Sequence, residues 1–230
     1  MLYAGETCAA IIPCRDEARR IGEIIRGLRD DLPTIFVVDD GSKDETASEA
    51  ERAGAVVLRH ARPLGKGAAL ATAWDAATAR GFQWALQLDG DGQHAVEDVP
   101  RFLDAAATGL DLVVGDRLSN STGMPWLRRL TNQWMSRRLS RLAGFPLTDS
   151  QCGFRLVDLT KLRALSLRSR HFEIESEMCV AFARAGHRIG FVPVQVRYGG
   201  ERSKISPIRD TVRWWRWYRS VPPIPIRSFR

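Results

Sequence analysis

The 230-residue chain is poor in the features that would mark several common classes of protein. Its four cysteines, Cys8, Cys14, Cys152 and Cys179, stand far apart, with no C-x-x-C pair and no histidine at zinc spacing. Neither a disulfide framework nor a structural zinc site is expected, and buried thiols in a reduced compartment are. No stretch approaches the roughly 18 uninterrupted apolar residues of a spanning helix, so the chain is not expected to cross a bilayer by itself. Met1 to Thr7 lacks a basic segment followed by an apolar run, and no signal peptide is expected. Internal repeats and low-complexity stretches are missing too. Acidic residues are outnumbered, 27 against 34 lysines and arginines, for a net charge of +7. That balance favours an anionic partner: nucleic acid, acidic lipid headgroups or a phosphorylated substrate.

What is present suits one domain, or one domain with a small appendage, and a sizeable core. Short apolar runs alternate with helical patterns through the first half. Strands are expected at Cys8 to Ile12, Thr34 to Val38, Ala55 to Leu58, Trp84 to Leu88 and Leu110 to Val114. Helices are expected near Glu17 to Leu28, from Ser42-Lys-Asp-Glu45 (read as a capping box) to Ala53, at Gly65 to Thr78 and at Val96 to Ala107. The pattern predicts an α/β fold with an open, mostly parallel central sheet flanked by helices. In such sheets ligands bind outside the carboxyl ends of the strands. Polar residues gather at those ends. The second half is less regular, with helices expected at Trp126 to Leu142, Glu173 to Ala185 and Ser206 to Arg219, and a strand at Ile189 to Val196. Asp149 to Arg155 reads as a loop entering a strand.

The strongest chemical signal is Leu88-Asp89-Gly90-Asp91-Gly92-Gln93, which closes the fourth strand. Two carboxylates one residue apart on a glycine-flexible turn can converge on one divalent ion. Mg²⁺ or Mn²⁺ takes a few hard oxygens and shares the rest with water and phosphates, and Gln93 could add a third oxygen. An acidic turn without metal would be the better reading of a lone Asp-x-Asp. A calcium loop fails, since His94 and Pro100 stand where its glycine and closing glutamate belong. A second acidic turn, Val38-Asp39-Asp40-Gly41-Ser42, ends strand two and offers acceptors for nucleobase N–H and ribose hydroxyl groups. Gly65-Lys66-Gly67 places small residues and a cation at a helix start, which suits a phosphate. By itself that last signal reads more readily as a helix start with a surface lysine.

Taken with Ile12-Pro13-Cys-Arg15-Asp-Glu17, Val114-Gly115-Asp116-Arg117 and Thr148-Asp149-Ser150-Gln151-Cys152-Gly153-Phe154-Arg155, these motifs resemble family 2 of the inverting glycosyltransferases, with the GT-A fold. The likeness is to the polyprenyl-phosphate sugar synthases and runs from about Ala9 to Lys204. The resemblance implies a metal-dependent hexosyltransferase with a catalytic domain over 1–205. Its 1–117 half would take nucleotide-sugar and metal, and its 118–205 half the acceptor. It also implies that Pro13, Arg15 and Glu17 line the nucleotide, with Val38 and Asp40 near the base. Asp89 and Gly90 would help hold the nucleotide-sugar, and Asp91 with Gln93, beside Asp89, would hold Mg²⁺ or Mn²⁺ against the diphosphate. Arg117 would meet a phosphate, as would Lys66 and the Arg202/Lys204 pair. Glu175 and Glu177 would face the donor sugar. Arg15 departs from the family pattern, where an aromatic often stands, and leaves the nucleobase open between UDP and GDP donors.

A hydroxyl acceptor needs a general base, and Asp149 is the candidate. A lipid monophosphate is already ionised and needs none, in which case Asp149 positions its neighbours. The sequence leaves both open. Trp126, Leu127, Leu130, Trp134, Leu139 and Leu142 are spaced as an apolar stripe among Arg128, Arg129, Arg137, Arg138 and Arg141. In the basic tail, 206–230, Trp214, Trp215, Trp217 and Tyr218 interleave with Arg213, Arg216 and Arg219. Such amphipathic elements suit an anionic membrane surface, here the cytoplasmic face, and a polyprenyl phosphate acceptor. Ordinary packing with a solvated basic face is the plainer alternative. Single-stranded nucleic acid fits less well, because it leaves the acidic strand tips facing a polyanion. Oligomeric state is open, a symmetric homodimer included.

Overall fold

The computed structural model describes residues 7–119, 123–197 and 207–222. The strands are β1 Cys8–Cys14, β2 Ile35–Asp39, β3 Val56–Arg59, β4 Trp84–Gln87, β5 Leu112–Asp116, β6 Arg155–Asp158 and β7 Ile189–Pro193. The helices are α1 Ile21–Leu28, α2 Thr46–Arg52, α3 Lys66–Ala79, α4 Val99–Ala107, α5 Trp126–Ala143, α6 Leu159–Arg163, α7 Glu173–Arg184 and α8 Pro207–Ser220. The strands form one sheet in the order β3-β2-β1-β4-β6-β5-β7. Within it β6 runs antiparallel to both β4 and β5, and the other pairings are parallel.

β1 and β2 are buried at every residue, as parallel strands covered on both faces must be. Their register sets Ile12 beside Val37 and Pro13 beside Val38. Ile11, Ile12, Phe36, Val37 and Leu86 are sealed from solvent, and each contributes roughly 1.5–3 kcal/mol through burial. From β1 the chain steps outward to β2 and β3, and α3 then carries it back to β4 on the far side of β1. Right-handed crossovers put α3 on the face opposite α1 and α2. A cleft therefore opens where the carboxyl ends of β1 and β4 diverge.

The expected helix from Glu17 starts only at Ile21, because residues 15–20 are used to bind the neighbouring turn. There the capping box at Ser42 is replaced by another arrangement. The Ser42 hydroxyl accepts from the Asp16 N–H at 2.9 Å, and Glu45 turns to the Ser48 hydroxyl at 2.6 Å. Asp44 instead accepts from the Thr46 N–H at 3.1 Å and opens α2. The expected helix from Val96 begins as a 3-10 turn, Val96–Asp98, ahead of α4. Helix α6 was not anticipated, since five residues are too few to show a period; Asp158 caps it by accepting from the Thr160 and Lys161 N–H groups.

Candidate functional site

The tip of β4 delivers Asp89 into the cleft. Its Oδ1 lies 2.5 Å from Lys66 Nζ at the start of α3. The same ammonium is 2.6 Å from Glu175 Oε1, in the first turn of α7. Lys66 reaches both because Gly65 ahead of it adopts φ +106° and packs on the 170–171 segment, where a Cβ would meet Arg170 O at 2.5 Å. Burial works against the Lys66 charge, but Asp89 and Glu175 outweigh it and hold the ammonium above its ordinary value. Burial likewise opposes ionisation of Asp89, and Lys66 with His94 overrides it, keeping that carboxyl well below the usual range. His94 lies under the tip, Nε2 3.7 Å from Asp89 Oδ2, with its ring against Phe154. Gly153 closes the other side: a Cβ there would stand 2.5 Å from Asp89 Oδ2.

Asp91 follows on the same turn, its Oδ1 accepting from the Gln93 N–H at 3.0 Å. Its carboxyl is raised, first by burial and then by the charge of Asp89. Asp89 has a lysine against it, whereas Asp91 carries the unfavourable charge of the pair, and a divalent cation at its oxygens would relieve that. Among the described residues no three histidine, cysteine or acidic side chains cluster as a closed metal cage. Two carboxylates and an amide oxygen from Gln93 fit Mg²⁺ or Mn²⁺, which leave positions for phosphate and water.

On the β1 and β2 side, Gly90 packs against Cys14, where a Cβ would be 2.8 Å from Cys14 Cβ and 3.5 Å from Glu17 Cγ. Glu17 thus lies beside the Gly90 turn, Pro13 and Val38 are buried partners in the sheet, and Arg15 is exposed beside Asp16 at 3.6 Å. Asp40 does not present a free carboxylate. Its Oδ1 accepts from Leu64 N–H and its Oδ2 from Gly65 N–H, both at 2.8 Å, and His60 Nδ1 is 2.8 Å from Oδ1. These bonds shape the loop that aims Lys66.

Arg117 and Asp149 form a buried pair. Arg117 Nε is 2.7 Å from Asp149 Oδ2 and Nη2 2.9 Å from Oδ1, and the backbone N–H groups of Arg117 and Gln151 also donate to that carboxylate. Asp149 has no exposed surface. Burial pushes its carboxyl up, but Arg117 outweighs burial and holds it below the usual range. This is the setting of a fixed anion, which suits the positioning role of Asp149 better than that of a general base, and the same pair holds the Arg117 guanidinium in place. Glu177 departs from expectation, because its carboxylate accepts from the Arg168 and Ser169 N–H groups at 3.0 and 2.8 Å. Glu175 does meet the cleft, through Lys66. Arg202 and Lys204 lie outside the described residues.

Sequence reasoning missed Arg155. Fully buried, it donates to the carbonyls of Cys152 at 2.7 Å, Glu175 at 2.7 Å and Ser150 at 2.9 Å. It thereby fastens the loop carrying Asp149 to the turn carrying Glu175. Ser176 was missed as well: its hydroxyl accepts from Gln151 Nε2 and from Trp214 Nε1, each at 2.9 Å. Those contacts tie α8 to the same loop. All four cysteines are buried thiols, as expected, and burial pushes Cys8 and Cys152 up to about 12.

Comparison with known proteins identifies the family and the fold. Residues 9–165 match the family Glycosyl transferase family 2. Undecaprenyl-phosphate mannosyltransferase of Micrococcus luteus is 31% identical over 198 residues, covering 80% of this chain and 81% of that one. UDP-N-acetylglucosamine–dolichyl-phosphate N-acetylglucosaminyltransferase of Methanococcus voltae is 29% identical over 212 residues, covering 82% and 84%. Among solved structures, glucosyl-3-phosphoglycerate synthase of Mycobacterium tuberculosis, bound to Mn²⁺, UDP-glucose and phosphoglyceric acid, superposes with a TM-score of 0.72 at 21% identity. The match covers 96% of this chain and 82% of that one. Other structures of that enzyme hold UDP with Mn²⁺ or with Mg²⁺. The fold is the GT-A type that the motif resemblance implied, and the chain belongs to glycosyltransferase family 2.

Proposed function

We propose that the chain transfers a sugar from a UDP- or GDP-sugar to a polyprenyl phosphate, with inversion, acting from the cytoplasmic face of a membrane. The state of Asp149 carries the choice of acceptor. A hydroxyl nucleophile needs a proton acceptor with a free lone pair and a pKa near the working pH. Both oxygens of Asp149 are engaged by Arg117, and the carboxyl is held low. A phosphate monoester brings its own negative charge and dispenses with a base. The names of the two polyprenyl- and dolichyl-phosphate relatives support the same acceptor class.

In this reading an acceptor phosphate oxygen bonds to the anomeric carbon as the bond to the donor diphosphate breaks, and the departing nucleoside diphosphate keeps the electron pair. Asp89, Glu175 and the Gly90 turn orient the donor sugar, and Pro13, Arg15, Glu17, Val38 and the Asp40 loop enclose the nucleotide. Lys66 supplies positive charge beside the diphosphate, with Arg202 and Lys204 assigned the same task. Arg117, fixed by Asp149, adds a preorganised field at the acceptor side. Asp89, Asp91 and Gln93 would hold Mg²⁺ or Mn²⁺, which supplies charge against the diphosphate when bound.

The test is a panel of UDP- and GDP-sugars with Mn²⁺ or Mg²⁺, each with and without a polyprenyl phosphate, read as release of nucleoside diphosphate. Release that depends on the lipid phosphate supports the proposal. Release that depends only on hydroxyl acceptors would replace it.

A further inference from the structure

Among the described residues, every large hydrophobic side chain left exposed lies on two helices: Trp126, Leu127, Leu130 and Trp134 on α5, Val212 and Trp215 on α8. Trp126 is 72% exposed, Leu127 63% and Leu130 53%, which is far from what packing inside the molecule would leave. The two helices lie side by side. Trp134 is 5.8 Å from Trp214 and 6.1 Å from Trp215 between ring centroids, and the guanidinium of Arg138 sits over both Trp134 and Trp215, at 5.0 and 6.0 Å. Trp214, by contrast, is buried and anchored to Ser176. The aromatic face is therefore a rigid slab rather than a loose tail. Leu139 and Leu142, expected to extend the stripe, are buried beneath it.

The charge of the chain is concentrated on the same two helices. α5 carries Arg128, Arg129, Arg137, Arg138 and Arg141 and no acidic residue. α8 carries Arg209, Arg213, Arg216 and Arg219 against Asp210, which is paired with Arg213 at 3.2 Å. Nine arginines less one aspartate give +8, against +7 for the whole chain, so the rest of the molecule is close to neutral.

We infer that the α5/α8 face is a docking surface for an anionic lipid bilayer, into which Trp126, Leu127 and Leu130 insert while the arginines meet the headgroups. Interfacial tryptophans beside a ring of cations are what that boundary favours. A second copy of the chain fits poorly, since a two-fold contact would set two strongly basic faces against each other. A nucleic acid would use the arginines but gives Leu127, Leu130 and Val212 nothing to bury against. The location also serves the reaction. Ser136 on α5 bonds to Ser150 at 3.1 Å, and Ser176 links Trp214 to Gln151, so the docking face and the loop next to Asp149 are one polar-bonded unit. The inference deepens the lipid-acceptor reading but does not depend on its chemistry.

The experiment is co-sedimentation of the full chain with phosphatidylcholine vesicles, with and without about one-third phosphatidylglycerol, free of polyprenyl phosphate and of nucleotide sugar. Wild type is expected to pellet with the anionic vesicles and to release as salt rises. Leu127→Ser/Leu130→Ser is expected to lower partitioning at least about tenfold, because exposed leucines that enter the interface carry the apolar share of binding. Arg137→Gln is expected to weaken anionic-vesicle binding about fivefold and to leave the neutral-vesicle baseline unchanged. Both variants alter exposed side chains, so unfolding curves and nucleotide binding should match wild type. No binding of wild type to anionic vesicles would overturn the inference, as would wild-type partitioning of the double leucine variant. A dimer in light scattering that Leu127→Ser/Leu130→Ser dissolves, with no vesicle binding, would assign the face to self-association instead. A failure of the lipid-acceptor reading shows separately, as vesicle binding without transfer to polyprenyl phosphate.

Discussion

Lys66 and Glu175 are 109 positions apart in the chain and meet with Nζ 2.6 Å from Oε1. The ammonium also touches Asp89, so one cation joins the start of α3, the tip of β4 and the first turn of α7. The cleft is thus held by charge across the two halves of the molecule before any ligand arrives.

Replacing that cation should be costly. Lys66→Met leaves two largely buried carboxylates without their counter-ion, and breaking such a pair from one side costs about 3 kcal/mol. Chemical denaturation should show a loss of that order, and titration with UDP- or GDP-sugar should show affinity down at least about tenfold. Wild-type stability and affinity in Lys66→Met would mean that the ammonium is a bystander.

Asp91 should behave in the opposite sense. Its carboxyl is raised above the ordinary carboxylate value by burial and by Asp89, so the ionised form at neutral pH works against the fold. Without divalent ions, Asp91→Asn should therefore be the more stable protein, by about 1 kcal/mol, or ~2–4 °C in Tm for a chain of this size. With Mn²⁺ and UDP present the order should reverse, because only the wild type gains from a ligand it binds. Sugar transfer should be lost in the variant. An equal Mn²⁺-dependent rise in Tm for both proteins would place the metal elsewhere.

How much of this was legible in the sequence depended on range. β1 to β4 and the helices between them are local patterns, and each expected element appears within a few residues of its place. The turns at Asp89-Gly-Asp91 and Asp39-Asp40 were visible because carboxylates at strand ends have no packing reason to be there. The reversed direction of β6 was not visible, since four apolar-flanked residues look alike read either way. Nor was the partner of any charge. Asp40 and Asp149 read as candidate ligand groups, yet the first spends its oxygens on Leu64, Gly65 and His60, and the second on Arg117. Arg155 was visible only as the last residue of a motif, without a role, because its three carbonyl acceptors come from segments that only folding brings together.

The Arg117–Asp149 pair gives stability a defined pH dependence. Asp149 has a folded pKa below its unfolded value of about 3.9. Its contribution is therefore complete above that unfolded value and is lost as pH falls through the folded one. Asp149→Asn removes the contribution and leaves the Arg117 guanidinium buried without its anion, at a cost of about 3 kcal/mol at neutral pH. Denaturation curves from pH 7 downward should show a constant gap between wild type and variant until about pH 4, and a shrinking gap below it. A gap that instead widens as pH falls from 7 toward 4 would mean a folded pKa raised into the neutral range, as a general base needs.

Gly153 tests whether the placement of Asp89 matters apart from its charge. Gly153 needs no left-handed backbone, so an alanine there meets only the steric problem: its Cβ would lie 2.5 Å from Asp89 Oδ2. Asp89 is the more mobile partner, being a side chain at a strand tip, and it must swing away from Gly153 while Lys66 pulls on its other oxygen. A displacement near 1 Å at a group that orients substrate costs about a hundredfold in rate. Gly153→Ala should therefore lose about two orders of magnitude in kcat/KM for sugar transfer, with Tm lowered by only a few degrees and with Mn²⁺ still stabilising the protein through Asp91. Transfer at the wild-type rate would show that the Asp89 carboxylate can move freely, and hence that its contact with Lys66 does not fix the donor.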